Sequence, residues 1–137
     1  MIAAVCVDDR NGMLFHSRRQ SQDRLQREDL LGLCQGRPLW MNGYSAPLFA
    51  GHEQEIAVDG EFLDKAAEGE YCFVEDQPLA GRLDRLEGLI LYRWNRAYPA
   101  DVHLDLDVSA GFTLLSREEF TGSSHKTITR EFYKRSE

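Results

Sequence analysis

The sequence predicts an α/β protein: a mostly parallel central sheet flanked by short helices and closed by a C-terminal antiparallel hairpin. Three observations carry that expectation. Short apolar runs at 2–7, 71–74 and 89–94 are separated by segments with helical spacing or helix-breaking residues. Two longer runs, 111–119 and 126–134, are joined by Thr121-Gly122-Ser123-Ser124, a turn composition. At 137 residues the chain is expected to form one domain, 1–137, with no repeat or linker.

Taken in order, Ile2 to Val7 reads as a buried strand closed by the turn Asp8-Asp9-Arg10-Asn11-Gly12. Residues 13–27 are polar and aperiodic and read as a long surface loop. A helix starting at Glu28-Asp29 is stopped by Gly36, with Pro38 beyond it. A strand at 38–41, a short helix at 44–49, a strand at 56–58 and a helix at 61–67 follow. The strand 71–75 ends in Glu75 and Asp76, and Leu79, Leu83 and Leu86 recur at helical spacing. After the strand 89–94, residues 101–108 alternate strictly, with Asp101, His103, Asp105 and Asp107 on one side.

Composition excludes several functions. A net charge of −7 argues against general affinity for nucleic acid or anionic membrane. The local basic cluster Arg18, Arg19, Arg24 and Arg27 reads as a solvated loop face. No apolar run approaches the ~18 residues needed to span a bilayer, and the N-terminal run is too short for a signal segment. Cys6, Cys34 and Cys72 sit among apolar neighbours without metal-ligand spacing, which suits free thiols in a reducing cytoplasm.

Several strings resemble dihydrofolate reductase. MIAAVCVDDRNGM is similar to that family's first strand and active-site loop. REDLLGLCQGRPLWMNG is similar to its acidic helix and following strand, and LEGLILYRWNRAYPADVHLDLDVSAGFTLLSREEFTGSSHKTITREFYKR to its closing strands. The resemblance implies that fold in trimmed form. It places Asp29 at the carboxylate that binds a pterin and assists its protonation. Burial near a helix start would raise such an acid's pKa, whereas a purely structural Asp29 or Glu28 would favour the positive helix terminus. Arg93 falls where the family has a threonine bonded to that carboxylate, so an Arg93–Asp29 ion pair is expected.

The departures concern the cofactor. The resembled strand runs into a Gly-Gly pair that lets backbone approach the NADPH pyrophosphate. Glu75 and Asp76 stand there instead, and two carboxylates repel a polyanion. The residues that hold the 2′-phosphate are missing, and the chain between Phe49 and Glu70 is short. NADPH is therefore disfavoured and no cofactor is expected. Short bacterial chains similar to this one bear a ribonuclease Z designation. That enzyme needs an HxHxDH metal cluster, and His16, His52, His103 and His125 lie far apart in no such motif, so the residues do not support that designation.

Other constellations leave alternatives open. Asp8, Asp9, Glu75 and Asp76 would converge on one sheet edge as a weak cation site. Alternatively Asp76 caps the helix that follows, with Glu75 adding favourable charge and Asp8 and Asp9 serving as turn residues. The alternating Asp101–Asp107 face reads as a solvated strand rather than a metal site. Ser45 and Ser124 lack a nucleophile elbow or histidine partner in sequence, so a hydrolase is unsupported. The ligand pocket is expected over Val7, Phe15, Trp40, Tyr44, Val74, Glu75 and Asp76. The expected function is binding of a small molecule or a protein partner without NADPH-dependent reduction. The alternatives are a divergent pterin or flavin-type reductase using Asp29, or an interaction subunit using the edge strand or the 18–27 loop.

Overall fold

The computed structural model of the protein describes residues 1–136. Among these residues ten strands form: β1 (Ile2–Val7), β2 (Gly12–Phe15), β3 (Arg18–Arg19), β4 (Leu39–Met41), β5 (Ile56–Val58), β6 (Tyr71–Phe73), β7 (Gly88–Arg93), β8 (Val102–His103), β9 (Phe112–Phe120) and β10 (Ile128–Arg135). Seven of them make one sheet in the order β5-β4-β6-β1-β7-β10-β9. Every neighbouring pair from β5 to β7 is parallel, while β10 and β9 are antiparallel additions. The expected architecture is present.

The reason for burial on both faces lies in strand alternation. Ala3, Val5 and Val7 of β1 face one side with Cys72, Leu89 and Leu91, against Phe62, Leu63, Leu79, Leu86 and Leu104. Ala4 faces the other with Phe73, Ile90 and Tyr92, against Leu30 of helix α1 (Arg24–Leu33) and Cys34, the residue that caps its C-terminus.

Three expectations change. The loop at 13–27 contains the hairpin β2–β3, turned by His16 (φ 50°) and Ser17 (φ 63°). Two consecutive left-handed residues suit a tight hairpin, but His-Ser carries none of the usual turn signature. Helix α1 begins at Arg24 rather than Glu28, because the Asp23 carboxylate accepts from Leu25 N (3.0 Å) and Gln26 N (3.2 Å). The strand 101–108 shrinks to β8, since its acids have local work. Asp101 accepts from His16 N (3.1 Å), and Asp107 closes a turn onto Ser109 N (2.9 Å). Asp105 accepts from Leu79 N (2.9 Å) and Ala80 N (3.0 Å), which caps the 3-10 helix Ala80–Arg85. That is the task assigned above to Asp76.

Candidate functional site

The edge where β1 and β6 end is built around one ion pair. Val74 N donates to Ala4 O (3.0 Å), which holds the exit of β6 against β1 and delivers Glu75 to the rim. Arg19, at the end of β3, reaches across and donates from Nε to Glu75 Oε2 (2.9 Å) and from Nη2 to Oε1 (3.0 Å). This two-pronged geometry is the strong form of the arginine–carboxylate contact. Ser45 Oγ adds a third donor to Oε1 at 2.8 Å. The guanidinium lies 4.6 Å from the centre of the Tyr44 ring, and Arg19 N donates to the Tyr44 hydroxyl at 2.8 Å. The hydrogen bond to Glu75 raises the already high pKa of Arg19, so the guanidinium stays charged.

Asp76 serves the same block. It accepts from Asn42 Nδ2 (2.8 Å), while Asn42 Oδ1 accepts from Tyr44 N (3.2 Å) and Ser45 N (3.3 Å). The turn after β4 and the exit of β6 are thus tied into one polar unit that fills the end of the sheet.

Of the expected pocket residues, Tyr44, Val74, Glu75 and Asp76 meet at this edge. Val7 is fully buried in the core, and Trp40 packs away from the edge, donating from Nε1 to Glu70 (3.0 Å). Phe15 belongs to a separate open cavity of about 590 Å³, lined with His16, Arg18, Arg19, Gln20, Tyr98 and Pro99. Arg19 borders both. It is half-buried rather than part of a solvated face, whereas Arg18 and Arg24 are exposed.

Asp29 lies on α1, where both its oxygens are engaged. Tyr92 donates its hydroxyl at 2.7 Å and Arg130 Nη1 donates at 2.6 and 2.7 Å. The expected pairing with Arg93 does not form. Side chains alternate along β7, so Tyr92 faces α1 and Arg93 faces the opposite side, where Nε meets Glu131 at 2.6 Å. A one-residue shift in matching β7 accounts for the error.

The acids expected to converge also separate. Asp8 folds into its own turn, accepting from Gly12 N (2.7 Å), Arg10 N (2.9 Å), Tyr98 N (3.2 Å) and Gln20 Nε2 (3.1 Å). Burial pushes its pKa up, but these donors outweigh burial and hold it below the usual value. Among the described residues no three His, Cys, Asp or Glu side chains are grouped to hold a metal ion. No described helix is long and apolar enough to cross a membrane.

Sequence reasoning did not assign Arg19, Asn42, Ser45, Tyr92 or Arg130 the partners they have here. One usable signal existed for Arg19: a carboxylate placed at the end of a buried strand needs a counterion, and the arginine-bearing segment after β1 is the nearest source in an α/β layout.

No family model matches the sequence, and no curated protein matches it. Among solved structures, the chain is similar to a dihydrofolate reductase from Enterococcus faecalis, complexed with NADP(H) and RAB-propyl. The TM-score is 0.66 at 10% identity, over 100% of this chain and 97% of the other. The protein therefore has a dihydrofolate reductase-like fold; at that identity the likeness carries the fold alone.

Proposed function

We propose that this protein is a ligand-binding member of the dihydrofolate reductase-like fold that does not carry out NADPH-dependent reduction. The Arg19–Glu75 pair, roofed by Tyr44 and braced by Ser45, is the observation that carries the reading. The residues at the end of β6 do not fit a dinucleotide. A pyrophosphate needs exposed backbone amides and positive charge at close approach. The acidic side chains of Glu75 and Asp76 occupy that approach, and Arg19, the cation that reaches it, is already committed to Glu75.

The ligand itself is assigned to the open cavity beside the pair. Its wall offers the stacked rings of Phe15 and His16 (3.8 Å apart), Tyr98, and the exposed cation Arg18. A flat, negatively charged small molecule matches those groups.

A second reading is favoured by one observation: Asp29 receives a hydroxyl donor from the neighbouring strand, through Tyr92. In that reading a pterin-like ring binds Asp29 after displacing Arg130. Fluorescence titration of the purified protein with NADPH separates the two. The binding reading expects no saturation up to about 1 mM; a micromolar Kd, or NADPH oxidation with a dihydropterin that disappears in Asp29→Asn, refutes it. A thermal-shift panel of planar aromatic acids, with Phe15→Ala and Arg18→Ala as controls, identifies the ligand class.

A further inference from the structure

The tertiary structure assembles a serine, a histidine and an aspartate that the sequence keeps apart. Ser21, in the segment between β3 and α1, places Oγ 2.8 Å from Nε2 of His125. The other ring nitrogen, Nδ1, lies 3.0 Å from Asp23 Oδ2. His125 is carried by the turn between β9 and β10, more than a hundred residues away. Both ring and carboxylate are buried, with side-chain exposures of 2% and 0%.

The chemistry of the partners orients the imidazole. Burial pushes the Asp23 pKa up, but His125 Nδ1 and the amides of Ser123, Ser124 and Gln26 pull it well below the usual range, so the group is a carboxylate and only accepts. Nδ1 therefore carries the proton. In the neutral ring Nε2 is then an acceptor aimed at the Ser21 hydroxyl. Trp94 stacks on the imidazole at 4.3 Å and fixes its plane. The Tyr98 hydroxyl is also near Nε2, but at 3.3 Å, farther than Ser21.

We propose that Ser21 is a nucleophile, activated by His125 and Asp23, that takes a short acyl group from an activated ester. Ser21 is half-exposed and opens onto a small depression beside Cys6, Val74, Glu75 and Trp94. The reaction balances without a cofactor. Ser21 Oγ attacks the carbonyl carbon while its proton passes to His125 Nε2. The tetrahedral species collapses, the ester C–O bond breaks, and His125 returns the proton to the departing alcohol. Water then repeats the sequence on the acyl-serine, releasing the acid and restoring the serine. The amides of Ser21 and Gln22 donate to no acceptor among the described residues and are the donors available to the developing oxyanion. The depression encloses only about 10 Å³, so the acyl group lies at its mouth rather than inside it.

The test uses the full-length protein with a fluorophosphonate probe and with p-nitrophenyl acetate. Intact mass and peptide mapping should find one probe per chain, on Ser21. Ser21→Ala should lose the label and lower ester hydrolysis at least about 100-fold, the scale of a lost base-assisted step. His125→Gln should do the same, with circular dichroism and Tm measured to separate a lost base from a lost fold. Ser116→Ala, altering an exposed hydroxyl on β9 that touches no part of the relay, should keep the label. Absence of labelling, labelling elsewhere, or equal hydrolysis by wild type and Ser21→Ala overturns the proposal. None of these outcomes depends on whether NADPH or a planar acid binds.

Discussion

Asp23→Ala removes a carboxylate that joins the start of α1 to the β9–β10 turn. Its oxygens accept from Leu25 N and Gln26 N at the start of α1, and from Ser123 N (3.0 Å), Ser124 N (2.7 Å) and His125 N (3.1 Å) in the β9–β10 turn. They also accept from His125 Nδ1 and Ser123 Oγ. Loss of the cap alone costs about 1 kcal/mol. Each buried amide left without an acceptor costs roughly 1–3 kcal/mol, reduced where water enters the vacated space. The sum for Asp23→Ala is about 3–4 kcal/mol, a large share of the ~5–15 kcal/mol available to a single domain. With a urea m-value near ~2 kcal/mol/M, the midpoint should fall by about 1.5–2 M. Asp23→Asn keeps one accepting oxygen and should lose about half as much. The sign with pH is also defined. The folded pKa of Asp23 lies below its unfolded value of about 3.9, so its contribution is complete above about pH 5 and is lost as pH falls through that range. Asp23→Ala should flatten this acid limb. A midpoint shift under about 0.5 M, or an unchanged acid limb, would refute the assignment of the Asp23 carboxylate as a main tie.

Two glycines should respond in opposite directions. A Cβ on Gly122 would overlap the Asp23 carboxylate and lie 2.8 Å from Ile128 Cδ1, so Gly122→Ala should cost about 1–3 kcal/mol. Gly32 in α1 has nothing within 4 Å of its would-be Cβ, and Gly32→Ala should add about 0.5–1 kcal/mol by thermal or urea melts. Asp105→Ala removes the acceptor for Leu79 N and Ala80 N and should cost about 1 kcal/mol, whereas Asp76→Ala should leave hydrogen exchange at Leu79 unchanged. Burial pushes Cys34 up to about 11 and Cys72 up to about 12, so at pH 8 both should react with a disulfide reagent ~100-fold or more slowly than a free thiol. Mass mapping with and without urea checks this, and fast modification of either in the folded protein would contradict it.

The strands of the parallel layer were legible because burial on both faces demands continuous apolar runs. Ile2–Val7 and Gly88–Arg93 announce themselves in that way. The hairpin β2–β3 was not legible, because His16 and Ser17 adopt left-handed backbone without the residues that usually signal it. Strict alternation at 101–108 suggested a strand, but the acids there bond to amides elsewhere in the chain, and those partners are invisible in sequence. Asp105, read as a solvated face, caps a segment about 25 residues earlier.

The site divides along the same line. Sequence alone determined that two carboxylates follow β6, and charge and side-chain bulk at that point are properties of Glu75 and Asp76 themselves. Which cation meets them was decided by tertiary structure, since the hairpin after β1 swings Arg19 onto Glu75. Pairing on β7 followed the same rule. Alternation gives Asp29 to Tyr92 and Arg93 to Glu131, and a single residue of register separates the two outcomes. Ser21, Asp23 and His125 carry no shared sequence pattern. They meet because β10 pairs antiparallel to β7 and returns the β9–β10 turn to the first turn of α1, a contact that exists only once the sheet is complete.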